Sequence, residues 1–357
     1  MKKITKETNL VGMLRLLIVL FLFSTVTPVF ASNVKGDGHL PKGKPSAALN
    51  AAFNNYLNAI KSAGTNQHSI MILQHGKVLA SAWMNEGAPE KEHAMWSVSK
   101  TFTSTAVGFA IAEGKLKLTD KVISFFPDKL PAEVSDNLKA LEIRHLLTMN
   151  SGHDTDPTGA IRNSGDNDWI KSFFATPLTH KPGTYFVYNS LGTYILSAIV
   201  QKVTGQKVFD YLTPRLFKPL GITGIHWDES PAGINCGGWG LYLKTEDMAK
   251  MGQFLLQKGK WNGKQLIPAK WIEEASKKQV ESFPSWSRTI DDSNADWGQG
   301  YGYQMWRCRH NAFRADGANG QYIIMIPAKD AVIITTANRG DMPKELEELW
   351  NFFLPVL

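Results

Sequence analysis

Cysteine is nearly absent from this 357-residue sequence: Cys236 and Cys308 are the whole supply. Two cysteines exclude a disulfide-stapled scaffold and a zinc site built on thiolates. After residue 31 no stretch approaches eighteen consecutive apolar residues, so the rest of the chain offers no membrane-spanning helix. The formal net charge is +7, yet basic residues stand singly or in pairs such as Lys277-Lys278. Without a basic cluster there is no nucleic-acid footprint. Repeats are missing, and 43% hydrophobic against 20% charged residues is not the balance of a disordered chain. There is no Gly-X-Ser-X-Gly elbow of an α/β-hydrolase. His153-Asp154-Thr155-Asp156 has ligand types, but no helical histidine pair supports it, so it reads as a polar loop at a cleft edge. Gly298-Gln299-Gly300-Tyr301-Gly302 has a nucleotide loop's glycines without the strand-then-helix order around them. No metal and no cofactor are expected.

What is present begins with a leader. Lys2, Lys3, Lys6 and Arg15 precede the apolar run Leu16–Phe23, and Val29-Phe30-Ala31 ends it in a small-residue pattern. This predicts a secretory signal over residues 1–31, with an uncleaved anchor as the alternative, and a secreted or periplasmic protein with no stable membrane span after cleavage. Residues 32–46, rich in glycine and proline, read as a flexible lead-in. The domain proper is expected over 47–357. Leu49, Phe53, Leu57 and Ile60 recur at helical spacing over 47–63. Ser69–Leu73 with Val78–Trp83, and Tyr322–Ile326 with Ala331–Ala337, read as two hairpins, and 343–353 as an amphipathic helix. Strands and helices at both chain ends predict an α+β, α/β-sandwich fold: one antiparallel sheet assembled from both termini and flanked by helices. A mostly helical insertion would occupy about 116–236.

The strongest local signal is Ser97-Val98-Ser99-Lys100, opening a stretch from Thr101 to Ala112 that carries no charge. A helix apolar on every face is buried. Ser97 and Lys100, three residues apart, share a face of it. Desolvation there disfavours the lysine's charged form and can make it a base, which a serine hydroxyl needs to become a nucleophile. The helix start would add N–H groups for an oxyanion. A helix cap beside a surface lysine fits the same four residues, and Ser32-Asn33-Val34-Lys35 repeats the pattern in the polar lead-in.

Further pieces follow in order: Ile143–Gly152, Phe186-Val187-Tyr188-Asn189-Ser190, Lys218-Pro219-Leu220-Gly221, Gly237-Gly238-Trp239-Gly240, and Ala315-Asp316-Gly317 before the last hairpin. In this order the sequence resembles the serine β-lactamase and penicillin-binding-protein superfamily, in particular class C-related hydrolases such as esterases and aminohexanoate-dimer hydrolases. The resemblance runs from about Ala47 to the C-terminus. It implies Ser97 as nucleophile, Lys100 as its proton-handling partner and Tyr188 as proton shuttle. Ser190 stands where the family usually has asparagine; a hydroxyl can still bond Lys100, and the carboxamide that meets substrate is lost or displaced to Asn189. The third motif usually offers Lys or His, then Thr or Ser, then Gly. Here Ala315 and Asp316 remove the cation that receives a substrate carboxylate, while Gly317 is kept for close approach of substrate and the N–H of Ala318 would be the second oxyanion donor. Strand alternation puts Arg314 on the face opposite Ala315. Tyr301–Cys308 alternates like a strand beside Gly317, and some of its aromatics, with Trp239, should line the cleft. Cys236 and Cys308 would then lie near one cleft wall, either as buried thiols or as a bridge.

The expectation is a secreted serine hydrolase acting on a small-molecule ester or amide through a Ser97 acyl-enzyme. The alternatives are a catalytically weak binder of cell-wall peptides and a D,D-peptidase or β-lactamase in the strict sense.

Overall fold

The computed structural model describes residues 39–282 and 295–357; the leader, Ser32–Lys35 and the lead-in as far as residue 38 lie outside them. Helix α1 (Ala47–Ser62) starts where Ser46 accepts a hydrogen bond from the Leu49 N–H, and buries Leu49, Phe53, Tyr56 and Ile60, one apolar stripe. The hairpin β1 (Gln67–Gln74) and β2 (Lys77–Trp83) turns at His75-Gly76. Helix α2 spans Ser99–Ala112, α3 Ser190–Thr204 and α4 Thr245–Leu256. The chain then supplies β3 (Trp306–Arg307), β4 (Phe313–Gly317), β5 (Gln321–Ile326) and β6 (Ala331–Ala337), and closes with α5 (Met342–Phe353).

These six strands form one antiparallel sheet in the order β2-β1-β6-β5-β4-β3. The two chain ends meet in the pairing of β1 with β6, running from Gln67 opposite Ala337 to Gln74 opposite Ala331. Successive strand residues point to opposite faces, and the core divides accordingly. Ile70, Ile72, Ile324 and Ile333 pack on α1 and α5; Met71, Leu73, Ile323, Val332 and Ile334 pack on the side of α2, α3 and α4. Between 116 and 236 the regular structure is helical apart from the two-residue strand His226–Trp227.

Two expectations are corrected. The lead-in is anchored from Leu40 onward: Leu40 is buried, its N–H donates to Glu246, and Gly43 and Pro41 bond both sides of Val78 beside β2. Tyr301–Cys308 is not a continuous strand. Only Trp306 and Arg307 join the sheet, because Gln304 adopts a left-handed φ of 63° and spends its side-chain amide on the Leu146 and Leu147 carbonyls. No helix among the described residues is long and apolar enough to cross a membrane.

Candidate active site

Helix α2 is entered through a single 3-10 turn, Trp96–Val98, with Trp96 at φ 47° and 44% exposed. Ser97 therefore sits on the turn that leads into α2, and Ser99–Ala110 behind it are all buried. A residue so apolar in its surroundings cannot keep its charge cheaply. Burial pulls the Lys100 amine down to about 7, against the opposing pull of Asp156 and Asp316. Its Nζ lies 2.8 Å from Ser97 Oγ, 3.0 Å from Ser190 Oγ and 2.8 Å from the Gly238 carbonyl. An ammonium would donate to all three. A neutral amine donates to the Gly238 carbonyl and Ser190 and leaves its lone pair for the Ser97 hydroxyl proton.

Tyr188 completes this group. Its ring lies under Lys100 Nζ at 4.8 Å from the centroid and stacks on Trp306 at 5.3 Å. Burial drives its hydroxyl well above the ordinary tyrosine range, with Asp316 adding to the rise and a hydrogen bond with Ser97 resisting it. The phenol is thus held protonated, a donor in waiting rather than a base. Ser190 opens α3, whose cap is Asn189 accepting from the Gly192 N–H. That cap fixes the fate of the Asn189 carboxamide. It is buried against Ser151 and His153, and Lys100 bonds Ser190 rather than this carboxamide, so the asparagine missing from position 190 is not replaced by it.

The opposite wall comes from the sheet. A cavity of about 410 Å³ is lined by Ser97, Tyr188, Trp297, Trp306, Asp316, Ala318, Gly340, Met342 and Pro343. A larger one of about 560 Å³ between α1 and β2 holds none of these groups and no nucleophile–base pair. Asp316 reaches the cavity, and Arg314, two residues away on the same face of β4, bonds it through Nε at 3.1 Å and Nη2 at 2.9 Å. Arg314 is fully buried, also donates to the Asp296 and Arg307 carbonyls, and lies under Trp297. Its charge is spent inside the protein. Gly317 is required by the fold itself: a Cβ there would stand 2.3 Å from the Met95 carbonyl, so glycine lets β4 close onto the turn that carries Ser97. The close approach expected of a substrate is made by the protein's own backbone.

The remaining expectations sort cleanly. Trp239 is half-buried beside Trp169, with the Arg162 guanidinium 4.8 Å above its ring. The cysteines are separate and free: Cys236 belongs to the core on the α2 side of the sheet, Cys308 to the core on the α1 side. They do not share a cleft wall, because the sheet runs between them. Burial pushes their thiols up to about 12 and about 11. In the loop 153–156, His153 is buried beside Phe173, Asp154 pairs with His180, and Asp156 caps the helix Thr158–Asn163 while accepting from the Ser190 N–H at 3.4 Å. No metal-ligand cluster occurs among the described residues.

Sequence reasoning missed Trp297, Gly340, Met342 and Pro343 as cleft neighbours. Only the Arg314-X-Asp316 spacing carried a readable signal, since i and i+2 share a strand face.

Comparison with known proteins agrees with this geometry. The profile of the beta-lactamase family matches residues 56–352. Over 293 residues the chain is 26% identical to the 6-aminohexanoate-dimer hydrolase of Paenarthrobacter ureafaciens, covering 76% of this chain and 73% of that protein. It superposes on the octameric penicillin-binding protein homologue of Pyrococcus abyssi with a TM-score of 0.68 at 19% identity, over 86% and 77% of the two chains. EstCE1, a hydrolase with promiscuous acyltransferase activity, gives 0.69 at 17% identity over 85% and 98%. With the whole domain matched and the sheet and helices in the same arrangement, this chain belongs to the beta-lactamase family.

Proposed function

We propose that the protein is a serine hydrolase that cleaves an ester or amide through an acyl-enzyme on Ser97, and that it works outside the cytoplasmic membrane. One observation carries the reading: Lys100 Nζ, with its amine brought down to about 7, stands 2.8 Å from the Ser97 hydroxyl with its other bonds satisfied. In its neutral form Lys100 takes the Ser97 proton as Ser97 Oγ attacks the acyl carbon. The N–H groups of Ser97 and Ala318 receive the oxyanion. Protonated Tyr188 delivers a proton to the departing alkoxide or amine, and the proton that Lys100 took from Ser97 then restores the Tyr188 hydroxyl, leaving Lys100 neutral. Water repeats the sequence on the acyl-enzyme, freeing the acid and Ser97.

The sheet wall supports an acyl group that is apolar and lacks a carboxylate. Trp297, Trp306, Met342 and Pro343 are apolar surface, and the charge-bearing side chain among the described lining residues is Asp316, with Arg314 sealed behind it. A β-lactam or peptide carboxylate entering here meets an anion in place of a cation. The relative from Paenarthrobacter is named for the hydrolysis of a 6-aminohexanoate dimer, whose two units are joined by an amide, which supports an amide among the bonds cleaved. A fluorophosphonate probe tests the reading: labelling of the wild type and none of Ser97→Ala supports it, and an inert wild-type serine refutes it in favour of a binding protein.

A further inference from the structure

The turn between β4 and β5, residues 317–320, carries the Ala318 N–H assigned above to the oxyanion, and each of its last three carbonyls is held from outside. Ala318 O accepts from Gln321 Nε2 at 3.1 Å, Asn319 O from the Arg339 N–H at 3.0 Å, and Gly320 O from the Thr335 hydroxyl at 3.0 Å. Underneath lies Glu345, from the first turn of α5, with no exposed surface. Its carboxylate is packed so closely under Gly320 (φ 90°) that a Cβ there would stand 2.2 Å from Glu345 Oε2. Neither carboxylate oxygen accepts a hydrogen bond of ordinary geometry. The nearest donors are spent elsewhere: Thr335 on Gly320 O, and the Gln67 amide on the Ser69 and Thr336 carbonyls. Among the described residues the cation paired with it is Arg339, 3.9 Å away through Nε, and its Nη1 is committed to Glu348 at 2.9 Å.

We propose that Glu345 is a positioning residue for the oxyanion turn, protonated in the active enzyme, and that its ionisation under Gly320 impairs turnover. The inference rests on the acyl-enzyme reading and extends it to the alkaline limit of activity. Two carboxylates compete for one guanidinium in a dry site, so the buried one keeps its proton. The groups that face Glu345 are Arg339 after β6, Glu348 on α5, Tyr56 on α1 and Tyr322 on β5. Burial, opposed by Arg339, pushes its carboxyl up to about 8. Once charged, Glu345 places an anion a few residues from the N–H that must stabilise another anion. At a separation of roughly 8 Å and an effective dielectric constant between about 20 and 80, the repulsion slows acyl transfer roughly two- to thirty-fold.

The experiment is the pH dependence of kcat/KM for a short acyl ester between pH 5 and 10. The wild type is expected to rise through about 7 with Lys100 and to fall through about 8 with Glu345. Glu345→Gln should retain the rise and lose the fall. Glu348→Gln, at a partly exposed site where folding is safe, frees Arg339 for Glu345, and the fall should move to lower pH. A merely structural Glu345 would change Tm in both variants and leave the descending limb in place. An alkaline limb that neither substitution moves overturns the inference. Turnover that survives Ser97→Ala overturns the acyl-enzyme reading instead, so the two failures are distinguishable.

Discussion

The two walls of the cleft are built by different means. The helix wall, with Ser97 on the turn into α2, Lys100 in the first turn of α2 and Ser190 at the head of α3, sets its chemistry by residues three apart across one helix entry and by one capped helix start. The sheet wall gathers Asp316, Ala318, Met342, Pro343, Trp297 and Trp306 from four stretches of chain. The first wall keeps the family's residues almost intact, whereas the second has exchanged a cation for the Arg314–Asp316 pair. Local spacing preserves a proton-transfer geometry, and recognition, assembled from distant segments, changes piece by piece.

The sharpest test of that contrast is on the helix wall. Ser97→Ala should lower kcat/KM for an acyl ester at least about 10³-fold, with Lys100→Ala close behind and the double variant hardly worse, because groups that act as a unit are not additive. Substitutions of Met342 on the sheet wall should change KM far more than kcat. Next in size is the sheet wall's ion pair. Asp316→Ala leaves a buried guanidinium without its carboxylate and should cost about 3–5 kcal/mol of folding stability, read as a fall in Tm or in the urea midpoint. Replacing both partners, Arg314→Met with Asp316→Leu, should recover most of that loss.

Acid should find the helix wall first. Burial brings His153, behind Asn189, down to about 4, below the 6.5 of an exposed imidazole. The folded state refuses a proton that the unfolded chain accepts, so this contribution is complete above pH 6.5 and is lost as pH falls toward 4. Burial also brings His93 down to about 4, so the wild type should lose about 2–3 kcal/mol more over that window than a His153→Asn variant that still folds, read from urea titrations at pH 7 and 4.5. Substrate preference follows: kcat/KM for an uncharged acyl ester should exceed that for a cephalosporin at least about tenfold, and equality would mean that some cation other than Arg314 serves the sheet wall. The smallest effect is at the cysteines. Mass spectrometry after unfolding and alkylation without reductant should find both modified, and reductant should leave Tm unchanged.

How much of this was legible depended on range. Both hairpins, α1 and α5 showed in local periodicity, and the two-ended sheet followed from where they fell in the chain. The Ser97–Lys100 pair was legible because spacing on a charge-free helix is itself geometry. Asn189 was misread because one motif position away from the family's residue changes a cleft-facing amide into a helix cap. Tyr301–Cys308 alternates like a strand, but the left-handed Gln304 interrupts it, and a side chain's demand for the carbonyls of residues 146 and 147 leaves no local trace. The cysteine positions failed for a similar reason: sequence separation does not say on which side of a sheet a residue falls.

The pairing of β1 with β6 joins residue 67 to residue 337 in the interior of the sheet. Contacts of such sequence separation form slowly, because a long loop must close before they are rewarded. During synthesis the first hairpin emerges early and waits, unpaired on one edge, until nearly the whole chain has been made. A chain ended before residue 331 lacks β6, so neither hydrophobic layer has a floor. The helical segments can acquire secondary structure in the meantime, but the cleft, whose second wall is β4 and the start of α5, exists only at the end of folding. Ser97 and Lys100 thus meet the rest of the site late, and nascent or truncated chains carry the nucleophile without the groove that would put it to use.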